Sequence, residues 1–369
     1  MKFTTNKIAL VKALNKVAAV STRTAVDDTL YVLLETVDNM LNLTATDLQV
    51  TMRVEQEVIV MEEGRLAVNT KRLLEIVKEL PTATVELSAN EEQLEINCES
   101  SHFLLNGLSS EEFLRLPAFN PSVEIGLPSK TLIKMLDKTV FCVSKNESRP
   151  EINGVLFDIH GKELRVVSTD SRRFAFTSLS GTYNLLQDPT KIVILPKVLT
   201  ILIKEAEETE EITLGFNDRY LMFKYDNVQL FSLLHDHPYP EYERVIPNDN
   251  TNIAKMNRDA LLGATKRMNV LSSIGSSQMT LEFNQNELKL FVTSEETGTG
   301  DDRIPINYTG ENLKIGFNSS FLISLLPKLD NEEIKWEMGG PLKASIIRPM
   351  EEEKDLKYYF LLMPLKLPS

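Results

Sequence analysis

The sequence predicts an α+β protein made of three tandem copies of one domain, each with two helices packed on antiparallel sheets. Three observations predict it. A pattern recurs about every 120 to 125 residues, close to the commonest domain size. Amphipathic helical segments recur in pairs, and alternating apolar and polar runs of strand type lie between and after them. The copies are bounded at 1–121, 122–248 and 249–369, and a chain of 369 residues is long for a single core.

Each copy opens with a helix. The segments Asn6 to Val20, Ser129 to Ser144 and Asn257 to Met268 begin on residues of N-cap type and carry apolar positions at three- and four-residue spacing. Their starts lie 123 and 128 residues apart. A strand follows, Leu30 to Thr36 in the first copy and Val155 to Ile159 in the second. A second strand then closes on a related signature: Leu41 to Asp47 (LNLTATD), Leu164 to Asp170 (LRVVSTD) and, most weakly, Leu288 to Ser294 (LKLFVTS). The second helices are Thr70 to Leu80, Pro196 to Ala206 and Asn318 to Leu329, where Pro327 is expected to end or kink the helix. Closing strands are predicted within Thr84 to Leu108, Glu211 to Leu234 and Glu333 to Leu365. The Pro-containing segments Leu116 to Pro128 and Pro238 to Asn250 read as linkers.

The composition is that of an ordinary globular protein, with 42% hydrophobic and 25% charged residues. No apolar run approaches the roughly 20 residues that span a bilayer, so no membrane association is expected. The opening Met1-Lys2-Phe3-Thr4 lacks the apolar stretch of a secretory signal, which makes a cytoplasmic location the expectation. Cys98 and Cys142 are far apart in apolar or alternating surroundings, so neither a disulfide framework nor a zinc site is expected.

A net charge of −13 would ordinarily count against a nucleic-acid partner. The distribution says more than the total. The six predicted helices together carry +10, leaving −23 for the remainder. Lys12 and Lys16 are one turn apart, Lys130, Lys134 and Lys138 form a row, and Lys71 and Lys78 are two turns apart, all expected on the face opposite the apolar stripe. Such rows read either as ordinary solvated faces or as a surface turned toward phosphates. No zinc-finger spacing, RNP motif or basic-region helix is present, so base readout is not expected.

Catalytic chemistry finds little support. His102 and His160 are isolated, and His235-Asp236-His237 offers two ligands without a third, so no metal and no cofactor is expected. No P-loop, GxGxxG, GxSxG or HExxH occurs. Asp47 and Asp170 stand at equivalent repeat positions, which points to a turn or cap device of the fold rather than to acid–base work.

Over essentially its whole length the chain resembles the DNA polymerase III beta subunit family, the bacterial sliding clamps. The resemblance rests on Met1-Lys2-Phe3-Thr4, Thr44-Ala45-Thr46-Asp47-Leu48, Ile152-Asn153-Gly154-Val155-Leu156-Phe157, Ser168-Thr169-Asp170-Ser171-Arg172-Arg173, Pro240-Glu241-Tyr242-Glu243-Arg244-Val245-Ile246-Pro247, Ile315-Gly316-Phe317-Asn318 and Leu362-Met363-Pro364-Leu365. It implies a non-enzymatic processivity factor with three DNA-clamp domains. Two subunits join head to tail as a homodimeric ring that encircles duplex DNA without regard to sequence, its hole lined by twelve helices. Implied partners are the DNA polymerase III alpha subunit, the clamp loader, other polymerases and repair proteins, each docking through a short peptide.

Carried over residue by residue, the resemblance implies a peptide groove of Ile152, Thr169, Ser171, Arg172, Arg173, Phe174, Pro240, Arg244, Val245, Leu361, Leu362, Met363, Pro364 and Leu365. On sequence alone Leu361 to Leu365 reads equally well as the end of a core strand. DNA-facing positions are Lys12, Lys16, Arg23, Lys71, Arg72 and Lys78 in the first copy, Lys130, Lys134, Lys138, Arg149 and Lys197 in the second, and Arg258 and Lys266 in the third. The subunit interface would join Phe103, Leu104 and Leu105 to Val270, Leu271 and Ile274 of the other copy, with ordinary packing inside a domain as the other reading of Leu271. Two departures stand out. Ser171-Arg172-Arg173-Phe174 replaces the family's usual Gly-His-Arg-Leu, which predicts a narrower and more basic groove, and Val26-Asp27-Asp28-Thr29 replaces a usually apolar segment. The alternatives to a clamp are a hydrolase or transferase using His235, His237 and strand-end carboxylates, and a periplasmic or surface scaffold.

Overall fold

A computed structural model describes residues 1–21, 30–111, 113, 119–146, 148–181, 188–206, 208–271 and 277–367. Arg23, Val26 to Thr29 and Ile274 lie outside the described residues.

Among the described residues there are six α-helices: α1 (Lys7–Ala18), α2 (Thr70–Glu79), α3 (Ser129–Asp137), α4 (Pro196–Glu205), α5 (Arg258–Asn269) and α6 (Ser319–Leu325). Each starts at or within a residue of the end of a strand, and the junction residue explains why the chain turns there. Asn6, Asn69, Asn257 and Asn318 accept hydrogen bonds from helix N–H groups at 2.8, 3.1, 2.9 and 2.9 Å, satisfying donors that have no partner inside the helix. The second copy uses proline instead: Pro128 precedes α3 and Pro196 is the first residue of α4, where its fixed φ and missing N–H cost nothing. Leu10, Leu14 and Val17 of α1 are fully buried, each stabilising the fold by roughly 1.5–3 kcal/mol.

The pattern-based boundaries need three corrections. Ser129 does not cap α3; its hydroxyl donates to the carbonyl of Ala206 at 2.8 Å. That helix ends at Asp137 rather than Ser144, because the Thr139 hydroxyl bonds back to Met135 O at 2.9 Å and the chain tightens into a 3-10 turn at Val140–Cys142. The second helix of the third copy breaks at Pro327 as expected, α6 passing into a 3-10 turn at Leu326–Lys328.

Close contacts divide the chain into two compact units, residues 1–133 with 197–234, and 134–196 with 235–369. The central repeat is therefore shared between units, and strand pairing shows why. In the first unit, Val50–Glu57 of the first copy pairs antiparallel with Val228–Leu233 of the second, inside a 13-stranded sheet. In the second unit, Arg173–Ser180 of the second copy pairs with Leu356–Leu362 of the third, inside a nine-stranded sheet. Backbone hydrogen bonds thus run unbroken across the repeat boundaries. The core of the second unit gathers around Trp336, fully buried with the rings of Phe283 and Phe317 5.6 and 5.1 Å away.

Candidate functional site

The Thr-Asp signature folds into the same turn in both copies that carry it. In Thr169 to Arg173, Asp170 Oδ1 accepts from the N–H groups of Arg172 and Arg173 at 2.9 and 2.7 Å, and the Thr169 hydroxyl donates to Arg173 O at 2.6 Å. In Thr46 to Val50, Asp47 Oδ1 accepts from Gln49 and Val50 at 3.0 and 2.7 Å, and the Thr46 hydroxyl donates to Val50 O at 3.2 Å. The residue after the aspartate is left-handed in each, φ 73° at Ser171 and 77° at Leu48. That conformation costs an L-residue about 1–2 kcal/mol, which the aspartate's hydrogen bonds offset. Both aspartates are turn devices, as their repeat positions predicted.

Around the second of these turns, all within the second unit, the structure brings most of the expected groove together. Met363 N–H donates to Arg172 O at 2.9 Å, laying the C-terminal segment beside the turn, and Leu365 N–H donates to Gly316 O at 2.7 Å. Val245 and Met363 are large apolar side chains left 57% and 45% exposed, with Pro240 and Arg244 also exposed. Phe174 is buried below, its ring stacked 6.1 Å from that of Tyr242 and 6.5 Å from that of Tyr359. Ile152 is likewise buried. Leu362 is a correction: strand alternation turns it, with Phe360 and Tyr358, into the main core, while Leu361 belongs with Phe174 and Tyr242.

The groove's positive charge is smaller than its sequence suggests. Arg173 is paired with Asp170 at 2.8 Å, donates to the Ser324 hydroxyl at 2.7 Å, and lies 4.6 Å from the Phe321 ring centroid. Arg244 pairs with Glu241 at 2.5 Å. Arg172 is exposed, with no ion pair among the described residues. Arg149, assigned to the DNA-facing set, meets this turn instead: its guanidinium donates to the Ser171 hydroxyl and lies 3.7 Å from Glu151.

Of the helix-borne cations, Lys12, Arg72, Lys78, Lys130 and Lys266 are exposed and without an ion pair among the described residues. Others are engaged. Lys16 is half-buried and donates to Asn227 at 3.3 Å, Lys71 lies 3.8 Å from Glu75, Lys197 is held by Asp47, and Arg258 donates to Leu329 O at 2.6 Å. Lys134 pairs with Asp330 at 3.0 Å and with Glu353. Lys138 must be corrected outright. It follows the end of α3, is 2% exposed, and donates to Asp330 at 2.8 Å and Lys328 O at 2.7 Å, so it has no free face to present to phosphates. Burial lowers its pKa, and Lys134 is raised because its hydrogen bonds to Glu353 and Asp330 outweigh the opposing cost of burial.

The expected interface segments end on open strand edges. Ser101–Leu108 pairs with Gln93–Cys98 on one side, whereas Gly64–Asn69 meets only its end, at Gly107 and Leu108. Its remaining edge carries Phe103 and Leu104, 39% and 60% exposed. Gly298–Pro305 is the outer strand of a four-stranded sheet and was not foreseen, since GTGDDRIP has no apolar alternation. Val270 is 79% exposed, while Leu271 packs against the core, the second of its two readings.

The His235 and His237 rings lie 5.3 Å apart, and burial lowers the pKa of His235. Among the described residues no three His, Cys, Asp or Glu side chains are grouped to hold a metal ion. Burial also pushes the Cys142 thiol up, away from the reactive thiolate.

Repeated strand-launched helix pairs, sheets continuous across repeat boundaries and a turn-built docking surface define a DNA-clamp protein. Models of the N-terminal, central and C-terminal domains of the DNA polymerase III beta subunit match residues 1–117, 126–241 and 243–365. The chain belongs to the DNA polymerase III beta subunit family. The beta sliding clamp of Chlamydia pneumoniae is 28% identical over 370 residues, covering 100% of this chain and 99% of its own. That of Staphylococcus epidermidis is 29% identical over 382 residues, covering 99% of each. Among solved structures, the DnaN sliding clamp of Bartonella birtlesii bound to griselimycin has a TM-score of 0.95 at 26% identity, and the Bacillus subtilis sliding clamp 0.94 at 26%, each covering 100% of both chains.

Proposed function

We propose that the chain acts as a beta sliding clamp, a ring dimer that encircles duplex DNA and confers processivity on a replicative polymerase, with no catalytic site of its own. The observation that carries this reading is the match of all three clamp domains in order along the chain. The repeats at 1–121, 122–248 and 249–369 are its three clamp domains. A closed ring is held to DNA by topology, so weak, sequence-independent phosphate contacts from Lys12, Arg72, Lys78, Lys130 and Lys266 suffice and sliding continues. Tethering then raises the local concentration of a bound polymerase.

Head-to-tail closure would pair the open edge of Ser101–Leu108 in one subunit with the open edge of Gly298–Pro305 in the next, covering Phe103 and Leu104. The exposed Val245 and Met363, with Pro240, Arg244 and Leu365, form the rim that takes the short peptides of the polymerase alpha subunit, the clamp loader, other polymerases and repair proteins, and griselimycin as well. Work on chromosomal DNA places the protein in the cytoplasm.

The test is retention on nicked circular duplex in the presence of a bacterial clamp loader. The expected result is co-elution with circles and release on linearisation; equal retention on linear and circular DNA would overturn the topological reading. Removing residues 363–369 should abolish griselimycin binding and leave the dimer intact, and unchanged affinity would mean the groove is misplaced.

A further inference from the structure

Beneath the rim of the groove lies a buried polar cluster that neither DNA nor peptide contact requires. Asp158, on the strand Val155–His160, has a fully buried side chain. The Tyr242 hydroxyl donates to its Oδ2 at 2.8 Å, and Lys191 Nζ lies 3.6 Å from the same oxygen. His160 Nε2 stands 2.5 Å from Oδ1, a charge contact outside hydrogen-bond geometry. On the other side of the phenol, Arg165 donates to the Tyr242 oxygen at 3.4 Å and is itself held by Glu163 at 2.7 Å. A carboxylate withdrawn from water in this way is tolerated because it is paired and hydrogen-bonded, and removing a partner is costly.

Tyr242 connects this cluster to the groove. It opens the 3-10 turn Tyr242–Val245, which carries Arg244 and Val245 on the rim, and its ring stacks on Phe174 in the floor. The turn has little else to fix it: Arg244 and Ile246 N–H groups reach Glu241 and Glu243 carbonyls at 3.3 and 3.4 Å. We infer that Asp158, acting through the Tyr242 hydroxyl, is the positioning residue that sets the rim of the groove against its floor and so sets ligand affinity. The inference rests on the groove reading above.

The experiment compares Asp158→Asn, Asp158→Ala and Tyr242→Phe with the wild type by titration of labelled griselimycin, amide hydrogen exchange and thermal unfolding. Asparagine keeps an acceptor for the phenol, so Asp158→Asn should bind within about threefold of wild type, whereas Asp158→Ala and Tyr242→Phe should bind about tenfold more weakly, the size expected for a lost hydrogen bond to a charged group. Exchange at Arg244 and Ile246 should quicken by a similar factor in the two weak binders. Should Asp158→Ala fail to fold, the near-isosteric Tyr242→Phe decides alone. Wild-type affinity in Tyr242→Phe, or equal weakening in Asp158→Asn and Asp158→Ala, would overturn the inference. A wild-type protein that ignores griselimycin would instead sink the groove reading, and the exchange rates at Arg244 and Ile246 would still decide whether Asp158 anchors the turn.

Discussion

Nζ of Lys138 lies 2.8 Å from Oδ1 of Asp330 and 4.1 Å above the ring centroid of Tyr358. A residue that reads in sequence as the third member of a basic row is in fact a fastener between the end of α3 and the segment after α6. Lys138→Met should lower stability by roughly 1–3 kcal/mol, less than a fully buried pair would lose because Asp330 is partly exposed and keeps Lys134. Thermal unfolding measures it. A changed salt dependence of DNA retention with unchanged stability would contradict the buried placement.

The converse holds for exposed lysines. Replacing Lys12 and Lys130 by glutamine should leave the unfolding temperature in place and reduce the salt slope of DNA retention by about 2, one for each lost phosphate contact. Retention measured across a salt series reports this directly, and an unchanged slope would remove these helices from the DNA-facing surface.

Asp330 also makes a pH prediction. Burial opposes its ionisation, but hydrogen bonds from Lys138 and Lys134 prevail and hold the carboxyl below the usual carboxylate range. A depressed folded-state pKa gives stability that is present above the unfolded value of about 3.9 and is lost as pH falls through the lower folded value. Urea unfolding between pH 6 and pH 3 should therefore show the wild type losing more stability on acidification than Asp330→Asn. Parallel curves would refute the linkage.

The turn aspartates should be interchangeable in their effect on stability and distinct in their effect on binding. Asp170→Ala and Asp47→Ala each strip two backbone N–H groups of their acceptor and break a side-chain pairing, costing roughly 2–3 kcal/mol by chemical unfolding. Griselimycin binding should weaken in Asp170→Ala alone, because Asp47 lies in the first unit. Equal weakening in both would argue for a global effect instead.

A methyl group at Gly316 would stand 2.8 Å from Leu365 O and 2.8 Å from a Leu367 methyl carbon. Gly316→Ala should therefore push the C-terminal segment off its strand and weaken griselimycin binding severalfold, at a stability cost of about 1–3 kcal/mol. Titration alongside thermal unfolding checks both, and an unaltered affinity would show that this segment does not shape the groove.

Several features were legible in the residues because they are local. Asparagine and proline at strand-to-helix junctions, Pro327 and the Thr-Asp turn act within a few positions, and each does what its chemistry dictates. Lys138 and Leu362 were misread for the opposite reason. Helical spacing placed Lys138 on a solvated face, but that spacing ends where Thr139 bonds backward, and the residue falls under Asp330. Motif matching placed Leu362 in the groove, but one step along a strand reverses the face. The strand Gly298–Pro305 left no trace in hydropathy, since pairing with Glu287–Ser294 imposes extended structure on a Gly- and Asp-rich segment.

The sequence by itself determined a thrice-repeated α+β unit, the sites where its helices begin, an acidic chain whose helices are basic, and membership in a clamp family. Tertiary structure alone decided which lysines remain free, which strand edges stay open, and how Asp158 reaches Tyr242. Repeats and caps are fixed by short-range bonding, whereas burial, ion pairing and free edges depend on segments brought together from far apart in the chain.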